Sequence, residues 1–403
     1  MIGLREIEAA REAISGYIAK TPCVKSDSFA RLSEAKICFK MENLQRTGSF
    51  KERGALNKLL SLSSEERSRG VICASAGNHA QGVAYHAGRL GIPATVVMPD
   101  HTPLVKVSNT RNHGATVILA GGNFDEAYAE AKRLQEERGL VFVHPFDDDA
   151  IIAGQGTIGL ELLEQNPSVE VVVVPIGGGG LIAGIAVALK ETNPKIRVVG
   201  VETRAIPSMK ASVEAGELVT VPSGQTIADG IAVKRPGGRT LEYVKRYVDE
   251  IVTVDEEEIA NAILLLLERE KAVVEGAGAV ALAALLNGHV PDIAGRNIVA
   301  LISGGNIDVN LISRIIERGL VKGGRLVRFV VKIEDRPGAL ARITGLVAAQ
   351  SANIIEIHHD RAFGASGYGE TEVLLTLETR GSDHVQAIYD TLTSAGYTVV
   401  EQL

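Results

Sequence analysis

The 403-residue chain contains no tryptophan, and aromatic residues make up only 4% of it. That leaves little to stack against nucleobases, and a formal net charge of −7 offers no basic face for a polyanion. Nucleic-acid binding is excluded on both counts. Cysteine is as sparse: Cys23, Cys38 and Cys73 are scattered, odd in number and without a CxxC pair. This excludes a disulfide framework and a thiolate zinc site, and leaves buried structural thiols as the reading. No stretch approaches the roughly 20 uninterrupted apolar residues of a spanning helix. The opening segment, MIGLREIEAAREAISGYIAK, mixes acids and bases through its first turns and reads as an amphipathic helix, not a signal peptide. These absences point to the cytoplasm and to a small-molecule partner, with no membrane and no nucleic acid.

What is present is a chain that is 45% hydrophobic with 43 glycines, long enough for two or three domains. Unbroken apolar runs occur at Val71-Ile72-Cys73, at 94–98, 116–119, 171–174, 198–201 and 298–302. Such runs suit strands buried on both faces of a parallel sheet. Helical patterns at 124–139 and 256–271 lie between them, so the class is α/β. Near residue 322 the texture changes. Lys322-Gly323-Gly324 reads as a linker. A strand (326–333), a turn at Asp335-Arg336-Pro337-Gly338 and a helix (339–350) follow. Then come a strand (353–359), a Gly-rich turn, a strand (371–377), a helix (383–395) and a last strand. That βαββαβ order is ferredoxin-like.

The strongest local signal is the run Val171 to Ile176 followed by Gly177-Gly178-Gly179-Gly180 and a helix. Strand, glycine loop and helix start together make an anion site, because backbone N–H groups converge there and the helix dipole is positive. No Lys-Ser or Lys-Thr follows, which excludes a nucleoside-triphosphate P-loop. Gly178 to Ala183 fits a dinucleotide pattern loosely, and Glu202 ends the next strand where an acid would hold a ribose. A dinucleotide and a smaller phosphate both remain open on this motif alone. Upstream, Lys51 stands beside Phe50 at a helix start. An aromatic neighbour and the helix dipole both lower a lysine's pKa, and a lysine so tuned forms a Schiff base. An ordinary surface lysine is the plainer alternative.

The string Thr47-Gly48-Ser49-Phe50-Lys51-Glu52-Arg53-Gly54-Ala55 resembles the pyridoxal-phosphate lysine motif of the serine/threonine dehydratases, enzymes of the tryptophan-synthase-β-like fold. The resemblance continues in order through Ser75-Ala76-Gly77-Asn78-His79, His144-Pro145-Phe146-Asp147-Asp148 and Gly154-Gln155-Gly156-Thr157. It passes through the tetraglycine loop to Thr226-Ile227-Ala228-Asp229-Gly230, Glu275-Gly276-Ala277-Gly278-Ala279 and Ser303-Gly304-Gly305-Asn306. It therefore covers nearly all of residues 1–320 and displaces the dinucleotide reading, which would make the chain an NAD-dependent dehydrogenase. It implies a two-lobed fold type II catalytic domain over 1–322, with a smaller lobe at about 50–150 inserted in the larger one.

By this resemblance pyridoxal 5'-phosphate is the cofactor. Lys51 would hold it and later act as base, Phe50 would pack beside its ring, and Asn78 would bond its phenolic oxygen. Gly177, Gly178, Gly179 and Gly180 would cradle the phosphate, and Ser303 would meet the pyridine nitrogen. Ser75, with Ala76, Gly77, Asn78 and His79, would bind the substrate carboxylate, Ser75 and Lys51 being the catalytic pair. The implied activity is β-elimination and deamination of L-threonine to 2-oxobutanoate and ammonia, with serine a secondary substrate. An L-serine dehydratase, or a serine racemase with eliminase activity, is the alternative. Related racemases resemble this chain but carry a serine acid/base where Ala76 stands, which disfavours racemisation. Metal-binding relatives place a second carboxylate where Ser208 stands beyond Glu202 and Ile206. Its loss weakens a hard-cation site, so no essential metal is expected.

The segment Glu334-Asp335-Arg336-Pro337-Gly338-Ala339-Leu340 resembles the ligand loop of ACT domains, and the resemblance covers 326–403. It implies an amino-acid effector bound by Asp335, Arg336, Pro337, Gly338, Ala339 and Leu340 with Asn353. Since the chain carries one copy, such a site would need another subunit, so a homodimer or homotetramer is expected. A purely structural pairing module is the alternative, and a non-catalytic amino-acid sensor is the alternative for the whole chain. Other conspicuous residues have plain explanations. His358-His359-Asp360 lie on a strand whose neighbours face opposite ways. Asp147-Asp148-Asp149 suit helix caps, and Glu256-Glu257-Glu258 opens a helix.

Overall fold

A computed structural model describes residues 1–360 and 369–402, and the chain divides into two compact units, Met1–Ile307 and Asp308–Leu403. The first unit contains ten strands: β1 (Cys23–Lys25), β2 (Lys36–Met41), β3 (Val71–Ala74), β4 (Ala94–Met98), β5 (Thr116–Leu119), β6 (Val141–Phe142), β7 (Val171–Pro175), β8 (Arg197–Thr203), β9 (Glu250–Val254) and β10 (Asn297–Ile302). They form two sheets, ordered β5-β4-β3-β6 and β1-β2-β10-β7-β8-β9. Every pairing is parallel except that of β1 on β2. Helices cover both sheets, and this explains the unbroken apolar runs: every residue of β3 and β7 is buried.

The smaller sheet lies between β2 and β7 in sequence, so the chain enters the larger sheet, leaves it and returns. The last strand, β10, then inserts between β2 and β7, with Ile302 opposite Met41. Its insertion brings the segments after β2, β7 and β10 to one edge of the sheet. Ligands of parallel α/β sheets bind at such carboxyl ends.

Two helices pack closely behind this edge, Asp149–Gln165 and Gly180–Thr192. Their backbones approach at glycines: a Cβ on Gly184 would stand 2.2 Å from the Ile152 carbonyl oxygen and 2.5 Å from the Gly156 nitrogen. The helix expected over 256–271 is shorter. It runs Glu256–Leu265, opened by a capping box between Asp255 and Glu258, then widens into a π turn over Leu266–Glu270. Lys271 ends it in the left-handed region at φ 56°.

In the second unit, the helix Val309–Lys322 precedes β11 (Leu326–Glu334), β12 (Asn353–Asp360), β13 (Glu370–Glu378) and β14 (Thr398–Gln402). The strands are antiparallel in the order β12-β13-β11-β14, the ferredoxin-like order. Alternate residues of β11, such as Phe329 and Val331, face a core completed by Ile343, Val347, Leu375, Ile388 and Leu392. Lys322-Gly323-Gly324 is not the division between the units. It closes a helix that already belongs to the second unit, which begins at Asp308. The Gly-rich turn over 361–368 lies outside the described residues. Among those described, no helix is long and apolar enough to cross a membrane.

Candidate active site

Lys51 opens the helix Lys51–Leu60, with Phe50 as its N-cap. The preceding loop is pinned from several sides. Phe50 N–H donates to the Ser303 carbonyl at 3.1 Å, Gly305 N–H donates to the Gly48 carbonyl at 2.9 Å, and Ser49 bridges Gly304. Thr47 N–H donates to the buried Glu52 carboxyl. The lysine is therefore held by the segment after β10. Its ammonium donates to the Pro145 carbonyl at 2.8 Å and lies 5.2 Å from the centre of the Phe50 ring. Burial lowers its pKa to about 8, against the attraction of Glu275.

Asn78 begins the helix Asn78–Leu90 that follows β3, with Gly77 as its N-cap. Its Nδ2 donates to Glu275 Oε1 at 2.7 Å, and its Oδ1 accepts from Asn306 Nδ2 at 2.8 Å. Ser75 Oγ accepts from Gly77 N–H at 3.2 Å, which closes the turn leading into the helix. Ala76, Gly77 and Asn78 are half-buried beside it. The His79 side chain turns away: its Nε2 pairs with the Val143 carbonyl at 2.9 Å, and burial with nearby Lys51 drives its pKa down to about 3. His79 can offer this site its backbone N–H alone. Ser303 is 2% exposed, and its hydroxyl makes one long contact, 3.4 Å to the Ala277 carbonyl.

Among the described residues, the N–H groups of Gly177, Gly178 and Gly179 donate to no protein acceptor, and Gly180 starts a helix. A Cβ on Gly178 would stand 2.2 Å from the Phe146 ring, and one on Gly179, at φ +94°, would stand 2.5 Å from Met209 Cε. The turn therefore demands glycine, and free donors at a helix start attract an anion. Thr240 Oγ1 holds the loop through the Gly178 carbonyl at 2.6 Å. Facing it, His144 Nδ1 accepts from Phe146 N–H at 3.2 Å and Asp147 N–H at 2.8 Å, and burial lowers its pKa to about 4. Contacts link these groups: Lys51 bonds Pro145, the adjacent Phe146 packs on Gly178, and Phe50 bonds the Ser303 carbonyl.

The family model described as "Pyridoxal-phosphate dependent enzyme" matches residues 14–304. The chain belongs to this family. Its relatives include an L-threonine ammonia-lyase of Thermotoga maritima, 53% identical over 399 residues, with 99% of each chain covered. Among solved structures, maize serine racemase is 37% identical with TM-score 0.75, covering 79% of this chain and 98% of that one. A threonine deaminase of T.th. is 42% identical with TM-score 0.72, covering 76% of this chain and 99% of that one. The fold is accordingly the two-lobed, tryptophan-synthase-β-like α/β type, followed by a small antiparallel sheet compatible with an ACT domain. The residues fit the family's cofactor on their own chemistry: a desolvated lysine, a glycine cradle with free N–H donors, and a buried hydroxyl with spare hydrogen-bonding capacity.

The structure of this pyridoxal-phosphate dependent enzyme also contains what sequence reasoning missed. Lys40, Glu42 and Arg53 are all within 1% of complete burial. Arg53 forks onto Glu42 with both contacts at 2.8 Å and onto Glu161 at 2.7 and 2.9 Å, and Lys40 reaches Glu161 at 2.5 Å. Burial alone would raise the Glu42 carboxyl, but Arg53 and Lys40 hold it below the usual carboxylate range. This network anchors the helix that Lys51 opens. Lys40 lies in an apolar stretch and gave no sign of burial, because its partners are remote in sequence.

Other side chains have structural roles. Asp147 caps the helix Gly238–Tyr247 through Arg239 N–H at 2.9 Å, and Asp148 caps its own helix through Ala150 N–H at 2.8 Å. Glu202 accepts from Met209 and Lys210 N–H, both at 2.8 Å, and burial raises its pKa to about 7. The acid that suggested a ribose site is a helix cap. Cys73 is buried, as expected of a structural thiol, whereas Cys23 and Cys38 are only half-buried.

In the second unit, the strand-to-helix turn exposes Asp335, Arg336, Pro337 and Gly338, while Ala339 is buried and Leu340 half-buried. Asp335 N–H donates to the Gly369 carbonyl at 3.0 Å, and Gly338 at φ +86° starts the helix Ala339–Ala349. Asn353 begins β12 and donates to Glu378 at 3.2 Å.

Proposed function

We propose that the chain is a pyridoxal-phosphate dependent L-threonine ammonia-lyase that converts L-threonine to 2-oxobutanoate and ammonia, with serine as a secondary substrate. The observation that carries this reading is Lys51, a buried lysine with pKa lowered to about 8 that bonds the Pro145 carbonyl, next to the Phe146 ring that covers Gly178, and follows Phe50, which bonds the Ser303 carbonyl. When bound, the cofactor supplies the electron sink that makes the substrate's Cα–H acidic and lets the β-hydroxyl leave. Lys51 anchors it and, once released, takes the Cα proton, because a desolvated amine is neutral in a useful fraction near neutral pH. Gly177 to Gly180 bind the phosphate through backbone N–H groups. Phe50 packs beside the ring, and Asn78 donates to the phenolic oxygen. Ser75 and the N–H groups at the start of the helix Asn78–Leu90 bind the substrate carboxylate. Ser303 would meet the pyridine nitrogen with a hydroxyl, which stabilises a protonated ring nitrogen less than a carboxylate would, and this favours rapid elimination.

The likeness to maize serine racemase supports a second reading, elimination or racemisation of serine. Ala76 weighs against racemisation, since a methyl group donates no proton to the opposite face of Cα. We assign the second unit to binding an amino-acid effector through 335–340 and Asn353, in a cytoplasmic homodimer or homotetramer. Light scattering that found a catalytically normal monomer would remove the assembly from this reading.

The decisive experiment is an absorbance spectrum of the purified protein before and after L-threonine. A visible cofactor band and released 2-oxobutanoate are expected, both lost in Lys51→Ala. A protein that takes up no pyridoxal phosphate and leaves threonine intact would overturn the enzyme reading in favour of a sensor.

A further inference from the structure

The Asn78 amide has two orientations of nearly equal shape, and they differ in which group it offers to a bound ligand. A chain of contacts fixes one of them. The Thr47 backbone carbonyl, which only accepts, takes a hydrogen bond from Asn306 Nδ2 at 2.7 Å. Asn306 must therefore turn its NH2 this way, and its second N–H reaches Asn78 Oδ1 at 2.8 Å. That places oxygen on the Asn306 side of Asn78 and sends Nδ2 to Glu275 Oε1 at 2.7 Å. One N–H of Asn78 is taken up and the other is free. With the amide reversed, its NH2 would oppose the NH2 of Asn306, which the Thr47 carbonyl holds in place.

The surrounding glycines make room for these contacts. A Cβ on Gly304 would stand 2.1 Å from Glu275 Oε1 and 3.2 Å from Asn78 Nδ2. One on Gly48 would stand 2.5 Å from Asn306 Oδ1. Glu275 is 5% exposed, and burial raises its pKa to about 7 against the hydrogen bond from Asn78, so the chain of bonds ends on a carboxyl group shielded from water. It also joins the loop before Lys51, the helix start at Asn78 and the segment after Ser303.

We propose that Asn306 and Glu275 are positioning residues that hold the Asn78 amide with its free N–H toward the cofactor's phenolic oxygen. The proposal deepens the cofactor reading given above and rests on it. Neither residue touches the reacting atoms; both act through Asn78. The proposal separates two kinds of cofactor contact, those supplied by fixed backbone N–H groups and one supplied by an amide that must be told which way to face.

The test uses full-length holoenzyme of the wild type, Asn78→Ala, Asn306→Ala and the double variant, read by cofactor dissociation constant and by the visible absorption maximum. Asn306→Ala is expected to weaken cofactor binding roughly 10-fold and to shift the band in the same direction as Asn78→Ala. The double variant is expected to be no worse than Asn78→Ala, since the residues act as one unit. Wild-type affinity and spectrum in Asn306→Ala, or full additivity in the double variant, would overturn the role of Asn306. Glu275→Gln keeps an acceptor oxygen and is expected to lose less than Glu275→Leu on both readouts; equal losses would remove Glu275 from the proposal. Circular dichroism reports folding, and Asn306→Asp, nearly isosteric and without the donors, replaces Asn306→Ala if that variant fails to fold. A wild type that bound no pyridoxal phosphate would overturn the cofactor reading itself, an outcome distinct from a defect confined to the variants.

Discussion

At the scale of single residues, the site depends on what burial does to charge. Lys51 is brought to about pH 8 by desolvation, with Glu275 pulling the other way. A neutral amine is what attacks an aldehyde, so the rate of cofactor uptake by apo-protein is expected to rise about tenfold per pH unit below 8 and level off above it. Glu275, raised by burial to about 7, is ionised in the range where Lys51 titrates and there favours the ammonium, so Glu275→Gln removes a stabiliser of the charged form and the midpoint should move to lower pH. An unchanged or raised midpoint in a stopped-flow pH series would contradict this coupling. Arg53 shows the converse, charge retained by pairing. Arg53→Met would leave Glu42 buried without its fork, at a cost of about 3–5 kcal/mol, measurable as a lower urea midpoint. Arg53→Lys keeps the charge but not the two-sided geometry, and should recover only part of that loss.

At the scale of elements, close packing overrides local preference. Gly184 lies within the helix Gly180–Thr192, where alanine would be favoured by about 1 kcal/mol on propensity alone. Its Cβ would meet the backbone of the helix Asp149–Gln165 at 2.2 Å. Gly184→Ala is therefore expected to destabilise by about 1–3 kcal/mol net, and a raised melting temperature would show that the helices can part without cost. The same contest explains how far the sequence could be read. Strands such as β7 were legible because a strand buried on both faces must be apolar throughout, and the glycine loop because only glycine fits beneath Phe146. The ordered motifs single out Lys51, Asn78 and Ser303, and the fold joins their segments through Phe50 on Ser303 and Glu275 on Asn78. Lys40, in β2, was not legible as core, since a lysine is buried only when distant partners compensate, and Glu161 is remote in the chain. The π turn after Leu265 and the helix Val309–Lys322 were illegible for another reason. Both continue an ordinary amphipathic pattern, so nothing local marks the widening, and the N-cap Asp308 marks where a helix starts but not that the helix belongs to the second unit. Asn306 lay within a recognised motif, yet its role depends on an acceptor at Thr47 that no local pattern announces.

At the scale of the whole molecule, the chain separates into two compact units. The family match ends at residue 304, the first compact unit ends at Ile307, and both the lysine loop and the segment after β10 lie inside it. The solved chain of the T.th. threonine deaminase is 99% covered by 76% of this chain, about the share that the first unit makes up. A fragment of residues 1–307 is accordingly expected to bind pyridoxal phosphate and deaminate threonine, and to lose any response to added amino acids. If the full-length enzyme is regulated through 335–340, binding must be reciprocal. An amino acid that changes the affinity for a threonine analogue by some factor must have its own affinity changed by that analogue by the same factor. Isothermal titration of full-length protein, run in both orders, measures the two factors. Equal factors in the full chain, together with an unresponsive fragment, would place the effector on the second unit. A fragment that responded like the full chain would move the effector to the catalytic unit and leave the ferredoxin-like sheet with pairing alone.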